Sequence, residues 1–182
     1  MHIHITGAPG SGVTTLGAAV AQELSMRHLD ADDYFWLPTS PPFRLERSVA
    51  ERLTRLRTDI QSGPCVVLSG SIMGWGAEVE EAFRLIVFLY LPAPIRLERL
   101  RRRELEKYGH VNPVFLAWAA KYDEGPERGR RLARHNAWLA KRSCPVLRLE
   151  GDESVAQRVA HVRQALTKHS VAARPSGVAP GS

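Results

Sequence analysis

The start of this chain constrains its fold more than any other part. Five alternating residues, His2–Thr6 (HIHIT), run into Gly7-Ala8-Pro9-Gly10-Ser11-Gly12 and then into VTTLGAAVAQEL, which ends near Ser25. Alternation reads as a strand, and small and apolar residues at helical spacing read as a helix. The three glycines between them permit a turn whose backbone would be strained under side chains. A strand that passes straight into a helix is the first half of a βαβ unit, so the chain is predicted to build a parallel sheet.

The rest of the chain repeats that alternation. CVVLSGS (65–71), RLIVFLYLP (84–92) and CPVLRLEGD (144–152) read as buried strands, and the short apolar piece at His28–Leu29 as another. Ser48–Ser62 carries apolar residues at 49, 53, 56 and 60, with Ser48 and Glu51 in capping-box spacing. GWGAEVEEAF gives a short helix, and DESVAQRVAHVRQALTK a final amphipathic one capped by Asp152 or Ser154. Prolines at 38, 41 and 42 make DYFWLPTSPPF a loop. The prediction is an α/β fold: a five-stranded parallel sheet with helices on both faces, as one domain over 1–168. Two basic helical runs and the apolar VFLAWAA, with breaks at Gly109 and Gly125-Pro126, interrupt the alternation and form a helical insertion, with a lid at about 107–130. Residues 169–182, rich in Pro, Gly and Ala, are expected to be a flexible tail.

Composition narrows the function classes. At 44% hydrophobic and 24% charged, the chain has the content of an ordinary globular domain. No run approaches the ~18 apolar residues of a membrane span, and the glycine-rich start lacks the pattern of a secretion leader. A cytoplasmic protein without membrane partners is expected. Cys65 and Cys144 stand in apolar strands and are predicted as buried thiols, in neither a disulfide nor a metal site. The seven histidines show no ligand spacing, so no structural metal is expected. The net charge of +6 is concentrated: residues 96–142 hold 13 Lys and Arg against 6 Asp and Glu.

Gly7 to Thr15 occupies the frame G-x-x-x-x-G-K-[ST] of phosphate-binding loops, between a predicted strand and a predicted helix. Inward backbone N–H groups and the helix dipole favour phosphate oxygens, and a hydroxyl at Thr14 suits Mg²⁺. One residue departs from the frame: Val13 stands where the lysine belongs. The chain has only four lysines, Lys107, Lys121, Lys141 and Lys168, so a replacement cation must be an arginine or come from the insertion.

On these motifs residues 1–168 resemble the P-loop small-molecule kinases of the adenylate, shikimate and cytidylate kinase type. The resemblance implies ATP and Mg²⁺ as cofactors, with Gly7, Ala8, Pro9, Gly10, Ser11, Gly12, Val13, Thr14 and Thr15 cradling the nucleotide phosphates. It places the carboxylates of the second strand at Asp30, Asp32 and Asp33, with Thr14 and Asp32 at Mg²⁺, Asp32 also facing the acceptor, and Asp33 orienting the acceptor hydroxyl. The turn on the acceptor falls at Gly70 and Ser71, extended by Gly74-Trp75-Gly76, and Tyr34 and its aromatic neighbours lie in the acceptor region or cover the sheet. Arg99 and Arg103 follow the fourth strand, toward adenine and phosphates. Arg131 or Arg134 returns from the lid. Glu150-Gly151-Asp152 supplies the purine turn. Trp118 and Trp138 are expected to pack on apolar faces.

The implied activity is phosphoryl transfer from ATP to a small acceptor such as a nucleotide or nucleoside. Such transfer needs cations over the peripheral oxygens and an acceptor held in line. A second reading is a nucleotide sensor or slow NTPase, which the missing lysine favours. No carboxylate follows VVLSGS or IVFLYL, which argues against motor-type ATPases. Nucleic-acid binding through the basic insertion is a third reading, against which stands the lack of interleaved aromatic and basic residues.

Overall fold

The computed structural model describes residues 1–63, 65–124 and 131–172. Five strands form one all-parallel sheet in the order β2-β3-β1-β4-β5. They are β1 Ile3–Gly7, β2 Arg27–Asp30, β3 Val66–Ser69, β4 Leu85–Tyr90 and β5 Val146–Glu150. The continuous apolar runs of β3 and β4 and the whole of β1 are buried, apart from Tyr90, whereas the edge strands β2 and β5 carry exposed residues. Sheets covered on both faces need strands apolar throughout, and the two central runs supply them.

Side chains alternate across the sheet and build two cores. Ile3, Ile5, Val67, Leu85, Val87 and Leu89 pack with Leu16 and Val20 of α1 (Val13–Glu23) and Val162 of α8 (Val155–Ala172). On the other face Val66, Leu68, Ile86 and Phe88 meet Leu56 and Ile60 of α3 (Val49–Gln61), Val79 of α4 (Ala77–Glu80) and Trp138 of α7 (Leu132–Leu139). Gly7 lies opposite Leu89, and Asp30 opposite Ser69. The carboxyl ends of the strands therefore share one edge, where parallel sheets bind ligands.

Several expectations change. β2 ends at Asp30, so Asp32 and Asp33 lie in α2 (Ala31–Phe35), a helical turn that occupies the start of the expected loop. Asp30 causes that turn, because its Oδ1 accepts the Asp32 N–H at 3.0 Å. Cys65 and Cys144 are free and only half-buried. In the insertion, α5 (Ala93–Tyr108) stops at Gly109 in a left-handed cap, and α6 (Pro113–Ala120) follows. Trp138 is buried, whereas Trp118 is 39% exposed and stacks on Phe115. Ser154 caps α8, bonding reciprocally with Gln157. The helix continues to Ala172, past the expected boundary at 168. Pro64, the break at Gly125-Pro126, Arg128 and Arg130 of the lid, and the tail from 173 onward lie outside the described residues.

Candidate active site

The glycine loop joins β1 to α1 with Gly10 at φ 82° and Gly12 at φ 91°. Both conformations favour glycine, and a Cβ on Gly10 would stand 2.6 Å from the Arg96 carbonyl oxygen. The loop closes on itself: the Ser11 N–H and hydroxyl both donate to the Ala8 carbonyl, at 3.1 and 2.8 Å. Val13 turns into the core beside Leu16 and Val20. Thr14 and Thr15 are exposed, and the Thr14 hydroxyl donates to Asp30 Oδ2 at 3.0 Å. One carboxylate thus caps α2 with one oxygen and meets the loop threonine with the other.

Two buried arginines that no family pattern singled out hold the loop from outside. Arg96 is fully buried and donates to the carbonyls of Leu91 (2.8 Å), Pro9 (3.2 Å) and Ala119 (3.3 Å) and to Asp123 Oδ2 (2.8 Å). Arg158 donates to the carbonyls of Ser11 at 2.9 Å and Gly151 at 2.8 Å. Burial and the Arg99 charge hold the Arg158 pKa below the usual guanidinium range, partly offset by Asp152 and Glu153. Spacing carried a signal: each arginine stands four residues before a buried aliphatic, Leu100 in α5 and Val162 in α8, on the core side of its helix.

Asp32 and Asp33 are both exposed on α2. Partial burial and the Asp30 charge raise the Asp33 pKa, with His28 opposing. Tyr34 is buried, its hydroxyl donating to Asp59 Oδ2 at 2.7 Å while Arg27 pairs with Asp59 at 2.9 Å. It covers the sheet rather than standing open to a ligand. Phe35 and Trp75 flank the Arg52 guanidinium at 4.6 and 5.2 Å, and Arg52 Nε and Nη1 are buried without a hydrogen-bond partner among the described residues. Gly70 abuts Ala31 at the start of α2, and Ser71 follows half-buried. The Gly74-Trp75-Gly76 turn is fixed by Glu80, whose Oε1 accepts the N–H groups of Gly74 and Trp75 at 2.8 and 3.1 Å. Its Oε2 accepts Trp138 Nε1 at 2.6 Å.

The predicted arginines separate. Arg99 pairs with Asp152, and the two line a cleft of about 530 Å³ with Pro94, Ile95, Glu98 and Arg102, next to Gly151. Arg103 lies over the Phe115 ring of α6 at 5.6 Å. Arg131 is buried and donates to the Lys121 carbonyl, while Arg134 is exposed. His135 ties this part of the insertion to the sheet, 2.7 Å from the Tyr122 hydroxyl and 3.2 Å from the Thr6 hydroxyl. Among the described residues no group of three His, Cys, Asp or Glu could hold a metal ion, and no helix is long and apolar enough to cross a membrane.

No family model matches the chain. It is 41% identical over 178 residues to the uncharacterized protein YqaC of Bacillus subtilis (strain 168), a match covering 92% of this chain and 98% of that protein. It is 32% identical over 144 residues to the cytidylate kinase of Natronomonas pharaonis, covering 73% of this chain and 69% of that enzyme. Among solved structures, a gluconokinase from Sinorhizobium meliloti 1021 superposes with a TM-score of 0.58 at 16% identity, covering 95% and 97% of the two chains. A shikimate kinase from Acinetobacter baumannii in complex with shikimate gives 0.58 at 18% identity, covering 93% and 94%. These likenesses of fold agree with a five-stranded all-parallel sheet flanked by helices. The chain belongs to the P-loop kinase superfamily and, within it, to the family of Bacillus subtilis YqaC.

Proposed function

We propose that this protein is an ATP-dependent phosphotransferase acting on a small anionic acceptor, such as a nucleotide. The observation that carries the reading is the 3.0 Å bond between the Thr14 hydroxyl and Asp30, at the mouth of a loop whose Gly10 and Gly12 adopt left-handed conformations. A hydroxyl and a carboxylate are hard oxygen donors of the kind Mg²⁺ takes together with phosphate oxygens and water. Thr14 and Asp30, with Asp32 two residues further on, would hold the ion, which when bound neutralises charge on the phosphate oxygens. The cleft at Arg99, Gly151 and Asp152 suits the nucleoside end, and the loop N–H groups from Ala8 to Thr15 the phosphates.

The acceptor class follows from Arg52, a guanidinium beside the rings of Phe35 and Trp75 whose buried Nε and Nη1 have no hydrogen-bond partner among the described residues. Such a group favours an anion beside an aromatic or sugar ring. Asp33, with its raised pKa, accepts or orients the acceptor hydroxyl proton, and Gly70, beside Ala31 at the start of α2, and Ser71 are assigned to the acceptor with it. Arg131, Arg134 and Arg103 are the insertion's cations for the transferred group. A cytidylate kinase among the relatives, and kinases of two further acceptors among the neighbours of fold, support phosphoryl transfer as the shared chemistry.

A second reading is a nucleotide sensor or slow NTPase of the same site, favoured by the burial of Val13 where a lysine would reach the phosphates. Calorimetric titration with ATP, with and without Mg²⁺, in wild type and Thr14→Val tests the first step. Mg-ATP is expected to bind the wild type, and Thr14→Val to lose about tenfold or more of the affinity gained from Mg²⁺, the size of a charge-assisted contact. Equal affinities of the two proteins for Mg-ATP would refute the metal assignment. Turnover that requires an added nucleoside monophosphate separates the transferase from the sensor.

A further inference from the structure

We propose that Arg158 stands in for the lysine this phosphate loop lacks, as a positioning residue that acts through the loop backbone. The inference rests on the nucleotide-binding reading above and goes beyond it. Two peptide planes of the loop end on guanidinium groups: the Pro9 carbonyl accepts from Arg96 and the Ser11 carbonyl from Arg158. Each plane precedes a left-handed glycine, Gly10 or Gly12. In a trans peptide the C=O and N–H point in opposite directions. Fixing a carbonyl outward on a cation therefore turns the next N–H away from it, toward the concave side of the loop. The guanidinium charge also polarises the peptide and strengthens that N–H as a donor to an anion.

Arg158 has three features that suit it to this role. It is 3% exposed, and its Nε has no partner among the described residues, so its Nη1 and Nη2 bonds to Ser11 and Gly151 define its place. Its second carbonyl belongs to the Gly151 turn, so one side chain links the phosphate loop to the cleft at Arg99 and Asp152. Its Nη1 comes within 3.6 Å of where a Gly12 Cβ would stand, with Arg99 Nη1 at 3.9 Å. Two cationic groups thus lie beside Gly12, immediately before the aliphatic Val13. A lysine at 13 would act from within the loop, whereas Arg158 acts from behind it, in a chain with no lysine before Lys107.

A double-mutant cycle tests the substitution of one cation for the other. Mg-ATP dissociation constants are measured by calorimetry for wild type, Val13→Lys, Arg158→Met and the double variant, with unfolding midpoints alongside. Arg158→Met is expected to weaken binding about tenfold or more, the size of one charge-assisted contact. Val13→Lys should then recover most of that loss in the Arg158→Met background, and its gain there should exceed any effect it has on the wild-type protein. The unfolding midpoint lost with Arg158 should not return, which sets the role apart from a purely structural one. Equal effects of Val13→Lys in both backgrounds, or wild-type affinity in Arg158→Met, overturn the proposal. Should Arg158→Met not fold, Arg158→Lys serves in the same cycle, since it keeps the charge but cannot bridge both carbonyls. A folded wild type that binds no Mg-ATP overturns the nucleotide reading itself, and the proposal with it.

Discussion

Asp33 is held in an environment that disfavours its charge. Partial desolvation and the Asp30 carboxylate raise its pKa, and His28 only partly compensates. An acid whose pKa is higher folded than unfolded binds more protons in the native state, so stability falls as pH rises from the ordinary Asp value of 3.8 through the raised one. Asp33→Asn should therefore unfold at a higher temperature than wild type at neutral pH. That advantage should shrink as pH is lowered through the same window, as thermal scans of both proteins from pH 3.5 to 7 would show. With Asp33 in the acceptor role proposed for it, function and stability would compete at this position. The loop glycines and Thr14 were legible in the sequence because left-handed turns and a following hydroxyl are local requirements. For the carboxylate beside Thr14 the sequence pointed to Asp32, and the structure puts Asp30 there. The choice of Asp30 depends on where β2 stops, which the cap on α2 sets.

At the scale of elements, α1 lies so close to the sheet that only glycine fits at position 17. A Cβ there would stand 1.8 Å from Ser69 Oγ and 2.8 Å from His28 Nε2. Those two side chains are themselves paired at 2.9 Å, so neither moves freely. Gly17→Ala sets a helix-propensity gain of about 1 kcal/mol against an overpacking loss of about 1–3 kcal/mol. The variant should be less stable than wild type in urea unfolding, and a gain in stability would show that α1 can lift away. Helix α3 was predicted from its spacing and its Ser48 cap, and Ser48 Oγ does accept the Glu51 N–H at 3.2 Å. The Glu51 side chain, however, turns outward to Arg47 and leaves the capping box half made. Helix α6 shows the limit of pattern reading. VFLAWAA is apolar throughout and reads as buried, yet only Ala119 of the helix is buried, because α6 leans on α5 rather than on the sheet.

For the whole molecule, the order β2-β3-β1-β4-β5 predicts a gradient of local stability. Strands β1, β3 and β4 are paired on both sides, whereas β2 and β5 are edges. Amide exchange followed by mass spectrometry should be slowest in β1 and β4, near the rate of global unfolding, and faster in β5 and α6. Protection of β5 equal to that of β1 would contradict an edge position. The sequence by itself determined the class of the fold, the number of strands, the place of the glycine loop between β1 and α1 and the basic run after β4. These follow from short-range periodicity, turn chemistry and the spacing of one motif. Only the tertiary structure decided that Asp30 meets Thr14, that Tyr34 belongs to the core, that Arg52 stands beside two rings, and that Arg96 and Arg158 carry the loop. Each of these joins residues from different elements, the Asp30–Thr14 pair linking the end of β2 to the start of α1. A buried guanidinium is favourable only where particular carbonyls converge on it, and that convergence exists only once the sheet and its helices have packed.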